Sequence, residues 1–273
     1  MSISLLVERY AVLLLDAYGV LVHSTGVLSG GPELIERLTR QGKPYFILTN
    51  DASRLPATAA RRFQAFGLAI PEERIITSGQ LLREYFADNG LVDARCVVLG
   101  PAESRQYVAE AGGRLVSASE GFDVLVIADE VGFPFFETVN AAVTSIFQAL
   151  DREEDVRLVL PNPDVFYPVA EHGFGVTSGG VAAMIEAAIH ARYPHRKDLR
   201  FTRLGKPEPP IFAEALRRSG TRDMVMVGDQ LETDIRGARA FGLDAAWVSR
   251  GSLRALEALP ADLRPTYRLL SLA

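Results

Sequence analysis

Asp16 closes an apolar run, "YAVLLLD" (10–16), and a glycine turn follows at once in "AYGV". A carboxylate at the tip of a buried strand is well placed to act as a nucleophile. Asp229 closes a second such run, "DMVMVGD" (223–229), and Asp234 stands five residues further on, at an expected helix start. Carboxylates gathered at strand ends repel one another unless a cation lies between them. A hard divalent ion with oxygen ligands fits, and no His/Cys cluster competes for a softer metal. Thr49 and Asn50, which end "PYFILTN" (44–50), offer a hydroxyl and strand-end amides to phosphate oxygens. Lys206, in "LGKPEPP", adds a compact charge suited to a phosphate oxygen in a tight pocket. Lysine occurs only at 43, 197 and 206, in a chain that otherwise uses arginine.

Taken singly, each residue also fits a plainer role. A carboxylate after a strand forms turns, and Asp234 equally suits a helix cap. Thr49 and Asn50 suit a strand-to-helix turn, and Lys206 suits a solvated loop. Their order along the chain, each at a strand end or a loop–helix junction, favours one shared chemistry.

The elements that must position them alternate between apolar runs and helical-period stretches, which is the pattern of βαβ units on a parallel sheet. The spacing predicts buried strands over 10–16, 44–50, 223–229 and 244–249. It predicts helices over 31–42, 55–67, 208–220 and 234–242, most of them stopped by glycine. Ligands of an open parallel sheet bind beyond the carboxyl ends of its strands, so these distant segments are expected to converge there. A second set of elements lies between: strands over 95–101, 123–130 and 156–163, with helices over 134–151 and 179–193. The expected fold is α/β: a doubly wound, Rossmann-like parallel-sheet core (1–80 and 190–273) with a smaller inserted α/β cap (81–189).

The bulk numbers exclude several classes. Of 273 residues, 48% are hydrophobic and 23% charged, and the net charge of −5 provides no electrostatic footprint for nucleic acid or anionic membrane. No apolar stretch approaches the roughly 20 residues of a membrane span. The lone Cys96 forbids an intrachain disulfide, and the N-terminus lacks a basic start and a small-residue cleavage site. A cytoplasmic protein is expected.

The motifs "DAYGVL", "ILTN", "GKP" and "GDQLETD" resemble, in that order, the four signatures of the haloacid dehalogenase (HAD) superfamily. With the insertion between the second and third, the chain is similar to the class IIA branch with a type 2 α/β cap. That branch includes nitrophenylphosphatase-like, nucleotide and sugar phosphatases. "ITSGQLLREYF" (76–86) and "NPDVFYP" (162–168) resemble its cap-flanking segments. The resemblance implies a small phosphorylated metabolite as substrate, hydrolysed through an aspartyl-phosphate on Asp16. It implies Asp16, Tyr18, Thr49 and Lys206 as catalytic residues, and Mg²⁺ held by Asp16, the Tyr18 carbonyl and Asp229, with Asp234 in support. Thr49, Asn50 and Lys206 would bind substrate, with Asn162 and Asp164 in a secondary part. A homo-oligomer formed through the cap is compatible with the branch.

Tyr18 departs from this pattern, because the phosphatases of the family carry a second aspartate there to protonate the leaving group and activate water. Losing a general acid–base costs about 10²–10⁴ in rate. Turnover on ordinary monoesters is therefore expected to be low, with acyl phosphates and nitrophenyl phosphate least affected. His23 is a second candidate proton carrier, or a plain loop residue. A weakly active Mg²⁺- and phosphate-binding regulator is the alternative. A 2-haloacid dehalogenase fits less well, since those enzymes carry a helical cap ahead of the second motif and lack the fourth. Phe133, Phe135 and Phe136, at helical spacing, are expected in the core.

Overall fold

The computed structural model describes residues 2–23, 26–169, 173–250, 256 and 259–272. The chain divides into two compact units. The first comprises Met1–Thr49, Pro56–Ile76 and Lys206–Ala273, and the second comprises Asn50–Leu55 and Thr77–Gly205.

In the first unit a six-stranded sheet runs in the order Tyr267–Leu269, Asp244–Val248, Met224–Gly228, Val12–Asp16, Tyr45–Thr49, Ile75–Thr77. Val12–Asp16 lies at its centre, parallel to both neighbours. The chain leaves this strand toward Tyr45–Thr49 on one side and later returns to Met224–Gly228 on the other. That reversal is the topological switch point, where an α/β sheet opens a crevice. All five residues of Val12–Asp16 are buried, as a strand covered on both faces requires. Leu13 and Leu15 pack with Leu6, Leu34, Leu38 and Phe63 from the helices Ile3–Arg9, Gly31–Arg40 and Pro56–Ala65. Leu14 points to the opposite face by the strand's alternation and is also fully buried. Helix Pro209–Ser219 starts on two prolines, where a missing N–H costs nothing, and stops at Gly220 in the left-handed conformation (φ 69°). The expected helix over 234–242 instead begins as a wide π-helical turn, Leu231–Ile235, and becomes regular over Arg236–Ala240.

In the second unit five strands form a parallel sheet in the order Thr202–Arg203, Arg157–Leu160, Val124–Ile127, Arg95–Leu99, Arg114–Leu115. The helices Phe135–Asp151 and Ser178–Arg192 bury Ile146, Ala142, Val181 and Ile185 in its core. An antiparallel hairpin, Phe166–Val169 with Gly173–Val176, completes it. This unit runs further than the expected 81–189. Thr202 and Arg203 pair with Val159 and Leu160, which keeps the chain in the second sheet until Gly205. Phe133 and Phe135 pack against the core as expected, whereas Phe136 is exposed. Among the described residues no helix is long and apolar enough to cross a membrane.

The chain's single tryptophan, Trp247, lies in the first unit's sheet, so its fluorescence reports the unfolding of that unit. Leu14→Ala is expected to cost about 2–5 kcal/mol by that probe in a denaturant titration. A loss well under 1 kcal/mol would contradict the central, two-sided burial of this strand.

Candidate active site

Parallel register decides what surrounds Asp16. Asp16 pairs with Leu48, and Leu15 with Val227, so Thr49 and Asp229 each lie one residue beyond Asp16's level on the two flanking strands. Lys206 reaches in from the turn before helix Pro209–Ser219. Its Nζ donates to Asp16 Oδ1 at 2.5 Å and to Asp234 Oδ1 at 2.8 Å. All three of these side chains are buried. Asp234 is held in turn by the Gln230 N–H, which donates to its Oδ2 at 3.1 Å.

Two glycines make this approach possible. A Cβ on Gly19 would stand 2.0 Å from Asp229 Oδ2, and its φ of +83° already favours glycine. A Cβ on Gly228 would stand 2.2 Å from Asp234. The turn carrying Gly19 is closed by Gly19 N–H to Val22 O at 2.8 Å and Leu21 N–H to Ala17 O at 3.0 Å. The Trp247 indole N–H donates to the Asp229 carbonyl at 2.9 Å.

The electrostatics follow from this packing. Burial pushes the Asp16 carboxyl well above the usual carboxylate range, Lys206 pulls it back, and Asp234 and Asp229 raise it further. Burial and the neighbouring Asp234 push Asp229 up to about 7, against the opposing charge of Lys206. Burial disfavours the charged form of Lys206, but Asp16 and Asp234 outweigh it and hold the ammonium protonated.

With all three carboxylates ionised, as a bound cation would hold them, and one ammonium beside them, the largely buried site would carry two negative charges, the complement of one divalent cation. One oxygen of each of Asp16, Asp229 and Asp234 lies within 4.8 Å of the others. Asp229 Oδ1 is buried and has no hydrogen-bond partner among the described residues. A buried carboxylate oxygen without a donor is costly unless something else serves it. An all-oxygen set of this charge suits a hard ion such as Mg²⁺ or Ca²⁺. The residues therefore fit a metal.

The other expected site residues divide between the two units. Thr49 is buried at its strand end in the first. Asn50, expected to extend that strand, belongs to the second unit, where its Nδ2 donates to Asp164 Oδ1 at 3.0 Å. Asn162 Oδ1 accepts the Asp164 N–H at 3.0 Å. Tyr18 is about a third exposed, with the Arg62 guanidinium 5.3 Å from its ring centroid. His23 is exposed on the short hairpin Val22–His23 with Gly26–Val27. Gly228 and Arg62 were not singled out in the sequence. The only visible sign of the first was a glycine just before the aspartate, and of the second there was none.

Comparison with known proteins agrees with this geometry. A haloacid dehalogenase-like hydrolase family model matches residues 13–114, and a HAD-hydrolase-like model matches 203–273. A possible sugar phosphatase of the HAD superfamily from Cytophaga hutchinsonii is 31% identical. It superposes with a TM-score of 0.83 over 100% of this chain and 97% of its own. The chain belongs to the haloacid dehalogenase-like hydrolases. Within that family it stands among the phosphatases. The dihydroxyacetone phosphatase of Corynebacterium glutamicum is 29% identical over 95% of this chain and 88% of its own length. A glycerol phosphate phosphatase of Mycobacterium tuberculosis, solved with magnesium, is 26% identical, with a TM-score of 0.81 over 98% of this chain and 76% of its own.

The lysine is the only cation bonded to this carboxylate group among the described residues. Lys206→Met, which keeps the stem and removes the charge, should cost the first unit about 3–5 kcal/mol without added metal. Trp247 fluorescence in denaturant would measure it. A loss under 1 kcal/mol would mean that the carboxylates do not depend on the ammonium.

Proposed function

We propose that this HAD-type phosphatase hydrolyses a small phosphorylated metabolite in two steps through Asp16. The observation that carries the reading is the pairing of buried Asp16 with Lys206 beside the unpartnered Asp229 Oδ1. In the first step an Asp16 oxygen bonds to phosphorus as the bond from phosphorus to the leaving oxygen breaks, and the leaving group departs as its anion, an alkoxide then taking a proton from water. In the second, water attacks that phosphorus, freeing Asp16 and inorganic phosphate. Dividing hydrolysis in this way is ordinary covalent catalysis. Lys206 and the Thr49 hydroxyl orient the phosphoryl oxygens and balance their charge. Mg²⁺, held by Asp16, the Tyr18 carbonyl and Asp229 with Asp234 in support, would supply Lewis-acid stabilisation of those oxygens. Asn50 joins Thr49 in binding substrate, and Asn162 and Asp164 contribute secondarily, with Asp164 hydrogen-bonded to both asparagines. Association through the cap remains part of this reading.

Tyr18 sets the substrate's leaving group. A phenol with an ordinary pKa near 10 is a poor base for the water step at neutral pH. Substrates whose leaving group needs no proton, such as acyl phosphates, are therefore favoured over sugar alcohol esters. Dehalogenation is disfavoured, because only the hairpin and helix Gly31–Arg40 lie between Asp16 and Tyr45, with no helical cap.

Phosphate release from acetyl phosphate and nitrophenyl phosphate is expected to require Mg²⁺, to stop with EDTA, and to fall at least about 10³-fold in Asp16→Asn. Metal-independent turnover, or turnover surviving Asp16→Asn, would overturn the mechanism. Silence on every phosphate tried, with Mg²⁺ still bound, would favour the regulatory alternative.

A separate variant addresses Tyr18. Tyr18→Asp should raise turnover of glycerol 3-phosphate at least about tenfold while changing acetyl phosphate much less. An equal rise on both would show that leaving-group protonation is not what Tyr18 limits.

A further inference from the structure

The chain leaves the first unit between Thr49 and Asn50 and finally returns to it between Gly205 and Lys206. Two residues of the candidate site, Thr49 and Lys206, thus stand directly at crossings. Neighbouring Cα atoms are held about 3.8 Å apart by the peptide bond. Whatever fixes Asn50 and Gly205 therefore also constrains Thr49 and Lys206.

One turn of the second unit, "PNPD" (161–164), holds both crossings. The Gly205 N–H donates to Pro161 O at 3.0 Å, and Asn50 Nδ2 donates to Asp164 Oδ1 at 3.0 Å. Asn50 and Gly205 also meet each other. A Cβ on Gly205 would stand 2.5 Å from Asn50 Oδ1 and 2.6 Å from Pro161 O, so glycine is what lets the crossings lie this close. The buried Ser78 hydroxyl donates to Asn50 O at 2.7 Å and holds its backbone as well.

The turn is rigid enough to serve as a reference. Two prolines restrict its backbone. The Asp164 N–H donates to Asn162 Oδ1 at 3.0 Å, and the Asp164 carbonyl accepts the Gly179 N–H at 2.8 Å, at the start of helix Ser178–Arg192. After Asn50, the residues up to Leu55 form neither helix nor strand. They are tied instead to helix Ala102–Glu110, through Ser104 Oγ to Ala52 O at 2.8 Å and the Leu55 N–H to Glu103 Oε2 at 2.7 Å.

Two groups that serve one phosphoryl group must keep their separation, and a misplacement of about 1 Å can cost on the order of 10²-fold in rate. We propose that Asp164 is a positioning residue: by fixing Asn50 in the turn that also fixes Gly205, it sets Thr49 relative to Lys206. The inference rests on the phosphohydrolase reading above and deepens it, because the secondary part of Asp164 is then exerted through Asn50 and not on the leaving group.

The test follows Asp164→Ala, with Mg²⁺, on acetyl phosphate and nitrophenyl phosphate, whose leaving groups differ in size and shape. kcat/KM should fall at least about tenfold, and by the same factor on both, since the phosphoryl group is what they share. Asp164→Asn keeps an acceptor for the Asn50 amide and should recover most of the loss. In an Asn50→Ala background Asp164→Ala should cost less than about twofold, because the contact through which it acts is already gone. If Asp164→Ala does not fold, Asp164→Ser, one atom shorter, takes its place. An unchanged rate, clearly unequal factors on the two substrates, no recovery in Asp164→Asn, or a loss that persists beside Asn50→Ala would overturn the proposal. Absence of turnover in wild type would count against the hydrolytic reading instead. Calorimetric binding of inorganic phosphate with Mg²⁺ must then weaken about tenfold in Asp164→Ala. Equal binding by the two proteins, or none by wild type, would overturn the proposal too.

Discussion

The first unit is organised around an unbalanced buried charge: Asp16, Asp229 and Asp234 gathered about the single ammonium of Lys206. Such a group is held only by geometry, because each carboxylate would be better solvated apart. The central strands supply that geometry through parallel register, which sets Thr49 and Asp229 one residue beyond Asp16 on either side. Packing on both faces stops these strands from shifting, since a one-residue slip would turn every side chain over. The glycines at 19 and 228 then let the backbone close upon the carboxylates where any Cβ would collide. The same density that makes the group costly also suits it to a small, hard cation.

Much of this could be read from residue order, and the reason is local. Apolar runs that end in aspartate report both the strand and its charged tip, and a lysine between glycine and proline marks a constrained loop. Long-range pairings left no such mark. Asn50 bonds Asp164 across 114 residues, and this draws a residue expected at a strand end into the second unit. The second unit extends to Gly205 because of a two-residue strand, too short to show periodicity. Phe136 shares helical spacing with its partly buried neighbours yet faces solvent, since one residue's rotation around a helix decides its face. In "AARRFQAF" nothing distinguishes Arg62, which lies over Tyr18, from Arg61, which bonds Thr58.

Under the proposed mechanism, a tyrosine at position 18 would redistribute a catalytic task. An acid at this place would act on the leaving group late, by giving it a proton. A tyrosine gives up a strong part of that role but offers a ring face, and a ring face can hold a cation. The carboxylate triad and the lysine would be indifferent to this exchange, because in the proposed mechanism they serve the phosphoryl oxygens that every substrate shares. Discrimination between substrates would then fall to the leaving side, where the residue two past Asp16 acts in that mechanism.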